Sequence, residues 1–178
     1  MNKPLTILIT GLSASGKTTL GKRLKSDLEM EGINDVVLLD GEAVREQLNN
    51  YKYLNRNRNS IGIHKAHLAK DYNDDGKIAI VTGIYHQRDI REQIREIIDN
   101  YVEVYLKCDV NVCALRDYKG HYEKAFNGEY SNFIGVTDSY QESNNFLPEL
   151  VLETSKYNID ESAKKLLSYI LKMINAKS

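Results

Sequence analysis

The chain has 178 residues, of which 42% are hydrophobic and 28% charged, with a formal net charge of −1; this balance excludes a disordered chain. The length suits one domain over residues 1–178 that buries about 70% of its unfolded surface, and the charge excludes the clustered basic footprint that nucleic-acid backbones require. No apolar run reaches the roughly 20 residues of a membrane span and the N-terminal apolar run is too short for a secretory signal, so no membrane contact and a cytoplasmic location are expected.

In chain order, the β-branched run Leu5–Thr10 predicts a first strand, and Thr18–Glu31 predicts a helix with Leu20, Leu24 and Leu28 on one face and Gly32 as its stop. Val36–Leu39 predicts a second strand and Glu42–Leu48 a helix; "NNYKYLNRNRNS" at 49–60 fits no regular element. A helix over about Ile63–Tyr72, a strand Ile78–Thr82, a helix Asp89–Ile98, a strand Val102–Leu106 and a helix Val110–Arg116 follow. Residues 118–146 again fit no regular element and, being long and carrying recurrent aromatic and charged residues, suggest a mobile lid over roughly 117–146. Leu150–Leu152 predicts a fifth strand and Ile159–Ile174 a helix with Leu166, Ile170 and Ile174 on one face. Near-continuous apolar strands alternating with helices imply a three-layer α/β fold around a five-stranded parallel sheet.

"GLSASGKTTL" at 11–20 satisfies G-x-x-x-x-G-K-S/T between a strand and a helix, the context in which that spacing has a mechanism. Glycines let successive main-chain N–H groups turn inward around phosphate oxygens, and the helix adds its positive end. Gly11, Ser13, Ala14, Ser15, Gly16, Lys17, Thr18 and Thr19 are therefore the candidate ATP-binding set: Lys17 for the β and γ phosphates, and the Thr18 hydroxyl for Mg²⁺. No N-K-x-D guanine reader follows a later strand, and a long ATPase partner domain has no room, which leaves a small kinase.

Asp40 stands at the carboxyl end of the second strand, where ligands of open α/β sheets collect. A carboxylate there can bind Mg²⁺ through water, accept a hydrogen bond from the attacking hydroxyl, or cap the following turn. Arg45, one turn on, suits an anionic acceptor. Ile84, Tyr85 and His86, on the loop after the third strand, are placed near that acceptor. His64, His67 and Asp71 have a spacing that a metal could use, but on this helix they are read as a solvated face; Cys108 and Cys113 are read as buried thiols.

These residues resemble the adenylylsulfate kinases, which move the γ-phosphoryl group of ATP to the 3′-hydroxyl of adenosine 5′-phosphosulfate (APS). The resemblance rests on "GLSASGKTTL", on "DGEAVR" against D-G-D-x-x-R, on "NRNRN" at 55–59 against D-R-x-x-N, on "RDYKGHYEKAFNGEYSNFIGV" at 116–136, and on "PELVLET" at 148–154. It implies that Tyr51 and Phe133 sandwich the acceptor's base, that Arg45, Arg56 and Asn59 hold its anionic end, that Lys119 lies near the transferred phosphate, and that Arg116 covers the ATP base. It also implies a homodimer.

The sequence departs from the family pattern on the acceptor side. Ser60, Ile61 and Gly62 stand where I-R-R is usual, and Gly83, Ile84, Tyr85 and His86 stand where F-I-S-P is usual. Glu42 replaces the second Asp of D-G-D, and Asn55 the Asp of D-R. The expected function is an ATP-dependent kinase acting on APS, with Lys17 and Asp40 catalytic and Thr18 and Asp40 holding the metal. Two alternatives remain: a cytidine diphosphoramidate kinase of capsular polysaccharide assembly, as in a related branch of the family, and a non-catalytic ATP-binding sensor.

Overall fold

Seven consecutive buried residues, Leu5–Gly11, form β1 at the centre of the sheet. The structure is a computed structural model and describes residues 3–41, 44, 58–142 and 148–176. β2 (Val36–Leu39), β3 (Ile78–Gly83), β4 (Tyr101–Lys107) and β5 (Leu150–Glu153) join β1 in the order β2-β3-β1-β4-β5, all parallel. The register sets Thr10 of β1 opposite Gly83 of β3, and Gly11 opposite Leu106 of β4, so the strands' carboxyl ends meet along one edge.

Helices cover both faces. α1 (Lys17–Met30) and α6 (Ile159–Asn175) pack together over one face, where Leu20, Leu24 and Leu28 meet Ile7, Ile9, Leu166 and Ile170. Burying each such leucine is worth about 2 kcal/mol relative to leaving it in water. α2 (Arg58–Asp74) and α3 (Arg88–Ile97) cover the other face, with Ala66, Ala69, Ile90 and Ile94 against Leu8, Ala79 and Val81. α4 (Val110–Arg116) and α5 (His121–Phe126) follow β4 and enclose a third cluster around Leu12, Cys113 and Tyr122. The five parallel strands and three layers agree with the sequence expectation, and both cysteines are buried and unbridged. No described helix is long and apolar enough to cross a membrane.

Two boundaries differ. α2 starts at Arg58 rather than near Ile63, so Arg58, Asn59 and Ser60 belong to a helix and not to an irregular stretch. Its first turn is polar and carries no apolar periodicity to reveal it. Residues 118–146 are not wholly irregular either: α5 occupies His121–Phe126, six residues whose buried Tyr122 and Ala125 are too few to establish a period. Apart from Val44, which is helical, the helix expected over Glu42–Leu48 lies outside the described residues.

A steric contact joins two of the sequence's departures from the pattern of the family it resembles. The Tyr85 ring is wedged between Gly62 of α2 and Gly83 of β3: a Cβ at Gly62 would lie 2.8 Å from Tyr85 Cε1, and one at Gly83 would lie 2.7 Å from Cε2. Alanine in a helix ordinarily gains up to about 1 kcal/mol over glycine. Here Gly62→Ala is expected to destabilise by about 1–3 kcal/mol because the core is overpacked. In a Tyr85→Ser background the same change should be neutral or stabilising. Denaturant unfolding of the two pairs checks this, and a stabilised Gly62→Ala single variant would refute the contact.

Candidate active site

The phosphate loop is built by close approach and by one turn that a side chain resists. Gly11 lies so near β4 that a Cβ would sit 2.7 Å from the Leu106 carbonyl oxygen. Gly16, the N-cap of α1, adopts φ 102°, a left-handed conformation that costs glycine little. Ala14 holds φ 57°, a backbone strain of the kind that concentrates at ligand clamps. Two contacts brace the loop from behind: Tyr122 Oη donates to the Ser13 carbonyl at 2.9 Å, and Thr154 Oγ1 donates to the Ser15 carbonyl at 3.0 Å.

Lys17 opens α1 and donates from Nζ to the Leu12 carbonyl. Burial pushes its ammonium down to about 8, against the opposing pull of the Cys113 and Cys108 sulfurs and the Asp40 carboxylate. Across the cleft, Asp40 at the end of β2 accepts from Thr82 Oγ1 at 2.7 Å and from the Gly41 N–H at 2.6 Å. Burial alone would raise its carboxyl. The hydroxyls of Thr82 and Thr18, the Gly41 N–H and the Lys65 ammonium outweigh burial and hold Asp40 below the usual carboxylate range, ionised at neutral pH. Lys65, buried on α2, donates to the Thr82 carbonyl at 2.6 Å.

Lys17, Thr18 and Asp40 face one cavity of 680 Å³ at the carboxyl edge of the sheet. Ser13, Ala14, Ser15, Gly16, Thr19, Ile84, Arg116 and Lys119 also line it, as do Thr82, Tyr118, Thr154, Tyr157 and Ser162. That volume is in the range of pockets that enclose small organic ligands. Arg116 donates to the Thr154 carbonyl at 2.6 Å and so is fixed against the wall after β5.

The remaining sequence candidates are more dispersed. Phe133 packs edge-on to Tyr122, with ring centroids 4.8 Å apart, and stacks on Tyr130 at 5.8 Å; it does not line the cavity. Asn59 donates to the Gln87 side chain, which ties the start of α2 to the loop before α3. Tyr85 is 6% exposed, and its hydroxyl has no hydrogen-bond partner among the described residues. His64 and His67 are exposed on α2, and no group of metal-ligating side chains is found among the described residues. Arg45, Tyr51 and Arg56 lie outside the described residues. Sequence reasoning missed Lys65, Thr82, Tyr122 and Thr154. Thr82 closes an apolar strand as a lone polar residue, a weak signal; Tyr122 and Thr154 fall inside motifs that carry the resemblance, and Lys65 carries no signal.

The sequence pattern of the family described as adenylylsulphate kinase matches residues 3–153. A cytidine diphosphoramidate kinase of Campylobacter jejuni subsp. jejuni is 35% identical over 167 residues, 93% of this chain and 96% of that relative. An adenylyl-sulfate kinase of Halothermothrix orenii is 36% identical over 169 residues, covering 94% of this chain and 90% of its own. The structure of the Mycobacterium tuberculosis APS kinase CysC in complex with AMPPNP and APS is similar with a TM-score of 0.84 at 29% identity, covering 96% of this chain and 99% of the other. A phosphate loop, an ionised carboxylate facing its lysine, and relatives of this extent have one explanation: the chain belongs to the adenylylsulphate kinase family, phosphotransferases with an alcohol group as acceptor.

Proposed function

We propose that the chain transfers the γ-phosphoryl group of ATP to the 3′-hydroxyl of a nucleotide acceptor, adenosine 5′-phosphosulfate. The observation that carries this is the convergence of Lys17, Thr18 and Asp40 on one cavity at the sheet's carboxyl edge. Main-chain N–H groups of Ser13–Thr19 hold the triphosphate, and Lys17 neutralises charge building on the transferred group, since catalysis of this step is chiefly positioning and electrostatics. The Thr18 hydroxyl and the ionised Asp40 are hard oxygen donors that fit Mg²⁺, which when bound neutralises the phosphate oxygens. Asp40 also accepts the hydrogen bond of the acceptor's hydroxyl. A carboxylate held below its usual range is a weak base, so it orients that hydroxyl rather than fully deprotonating it early. The ribose oxygen bonds to the γ-phosphorus as the bond to the β-phosphate oxygen breaks, the hydroxyl proton passes out by way of Asp40, and ADP leaves.

A second acceptor, cytidine diphosphoramidate, is favoured by one feature. The departures from the family pattern at Gly62 and at Gly83 and Tyr85 are in contact, and Gly83 lines the cavity, which supports a joint change at the acceptor end. The deciding experiment supplies ATP, Mg²⁺ and each of the two nucleotides and measures acceptor-dependent ADP release and the position of the new phosphate. Release that no nucleotide acceptor increases would defeat the kinase assignment of this site.

Residues 117–146 are assigned as the lid that closes over both substrates and excludes water. Phe133 belongs to its aromatic group and stacks on the acceptor's base when the lid closes. Phe133→Ala is expected to raise the acceptor's KM by about 10-fold, the effect of one lost base–aromatic stack, with the Kd for ATP unchanged. Steady-state kinetics with ATP calorimetry reads both. The opposite pattern, weaker ATP binding with an unchanged acceptor KM, would misplace the lid.

A further inference from the structure

We infer that Arg91 is a positioning residue for the transfer: its buried guanidinium clamps the loop after β3 to the return segment at Tyr140–Gln141, and through Tyr140 to the strand that enters the phosphate loop. Arg91 is 3% exposed and lies on the inward face of α3. One terminal nitrogen donates to the Tyr85 carbonyl at 2.5 Å and the other to the Gln141 carbonyl, 50 residues away. The Gln141 N–H in turn donates to the His86 carbonyl at 2.9 Å, so the two irregular segments are joined at three main-chain oxygens.

The clamp continues to the phosphate loop. The Arg91 guanidinium lies 5.1 Å from the centre of the Tyr140 ring, which stacks on Tyr105 of β4 at 4.9 Å. Tyr140 Oη shares a hydrogen bond with Thr10 Oγ1 at 2.9 Å, and that oxygen also accepts the Tyr85 N–H at 3.2 Å. Thr10 directly precedes Gly11. One guanidinium thus sets the relative position of a loop carrying Ile84, which lines the cavity, the root of the proposed lid, and the strand end that bears the phosphate loop.

Stability alone does not account for this arrangement. Arg91 Nε lies 3.2 Å from Glu103 Oε1, an ion pair whose partners are 3% and 4% exposed. Removing two such charges from water costs several kcal/mol each, and a well-packed apolar pair serves stability about as well. What an arginine adds is a rigid planar fork that can address two carbonyls at once. Both targets are main-chain oxygens, so the fork fixes backbone position whatever side chains stand at 85 and 141.

The inference rests on the acceptor lying against the loop after β3, as proposed above. Two variants test it in the full chain. Arg91→Lys keeps the charge beside Glu103 but loses the fork; Tyr140→Phe removes only the hydroxyl that reaches Thr10 and covers the case in which Arg91→Lys fails to fold. The acceptor's KM should rise at least 10-fold in Arg91→Lys and about threefold in Tyr140→Phe, with the Kd for ATP within twofold of wild type. A purely structural role would lower the folded fraction and leave KM alone. Hydrogen exchange of the Tyr85 and Gln141 amides, read without any acceptor, should quicken at least 10-fold in Arg91→Lys. If wild type turns over neither nucleotide, the acceptor assignment fails and this exchange decides the clamp by itself. Unchanged amide exchange in folded Arg91→Lys, or an acceptor KM unchanged in both folded variants, overturns the inference.

Discussion

Lys17→Met is expected to lower kcat by about 10³-fold or more while leaving a protein that is more stable than wild type when empty. The activity loss follows from removing the ammonium that α1 fixes at the phosphate loop, beside the charge that builds on the transferred phosphoryl group. The stability gain follows from burial. Lys17 carries a charge that desolvation lowers from 10.5 to about 8, so at pH 7 the empty protein holds a disfavoured ammonium. A shift of that size would be worth about 3 kcal/mol; the side chain keeps some exposure to the open cavity, so a gain of about 1–2 kcal/mol is expected. The sign with pH is fixed by linkage. Below about 8 the lysine is protonated folded and unfolded, and the full penalty is present. Between about 8 and 10.5 only the unfolded chain keeps the proton, so wild type gains stability as pH rises and the advantage of Lys17→Met shrinks. Urea titrations of both proteins at pH 7 and 9.5 measure this. ATP affinity should move the other way, weakening as the empty site loses its ammonium above about pH 8. A variant that retained a tenth of wild-type kcat would remove Lys17 from the chemistry.

The same lysine marks what was legible in the sequence. The phosphate loop is a local object, with strand, glycines, lysine and helix all inside residues 5–30, and its spacing alone implies its geometry. The strands are legible for a related reason: covered on both faces, β1 and β3 read as nearly continuous apolar runs interrupted only by threonines before their closing glycines. Their order is not, since nothing in Leu5–Gly11 says that β3 lies on one side and β4 on the other. Lys65 shows the limit most plainly. Within "GIHKAHLAK" it reads as one more polar helix position, yet it shares the inward face with Ala66 and Ala69 and ends on the Thr82 carbonyl. Only the packing of α2 on β3 turns its side chain into part of the site. Gly62, Gly83 and Tyr85 were each visible as departures; that they touch is a fact of tertiary structure. Arg91 likewise reads as a surface charge in "RDIREQIREIID", because one of the two carbonyls it serves comes from a segment far along the chain.

Asp40→Asn is the complementary expectation, with kcat lowered by about 10²–10⁴-fold and the Kd for ATP measured without Mg²⁺ within about twofold of wild type. Asparagine has the same size and its carbonyl can still accept from Thr82 Oγ1 and the Gly41 N–H, so the turn at the end of β2 should survive. What it loses is the negative charge, with which the carboxylate holds both the acceptor's hydroxyl and Mg²⁺. Thr82→Val separates orientation from charge. It removes the 2.7 Å bond that aims the carboxylate but leaves the ion, and should cost roughly 10-fold in kcat, the worth of one hydrogen bond to a charged group. The ranking is therefore Asp40→Asn well below Thr82→Val, and Thr82→Val below wild type. If Thr82→Val fell as far as Asp40→Asn, the direction of the carboxylate would matter more than its charge; if Asp40→Asn kept near-wild-type kcat, a different group would have to receive the hydroxyl proton, and the other carboxylate lining the cavity among the described residues is Asp117, which accepts from the Tyr122 N–H at 2.8 Å and the Lys119 N–H at 3.2 Å.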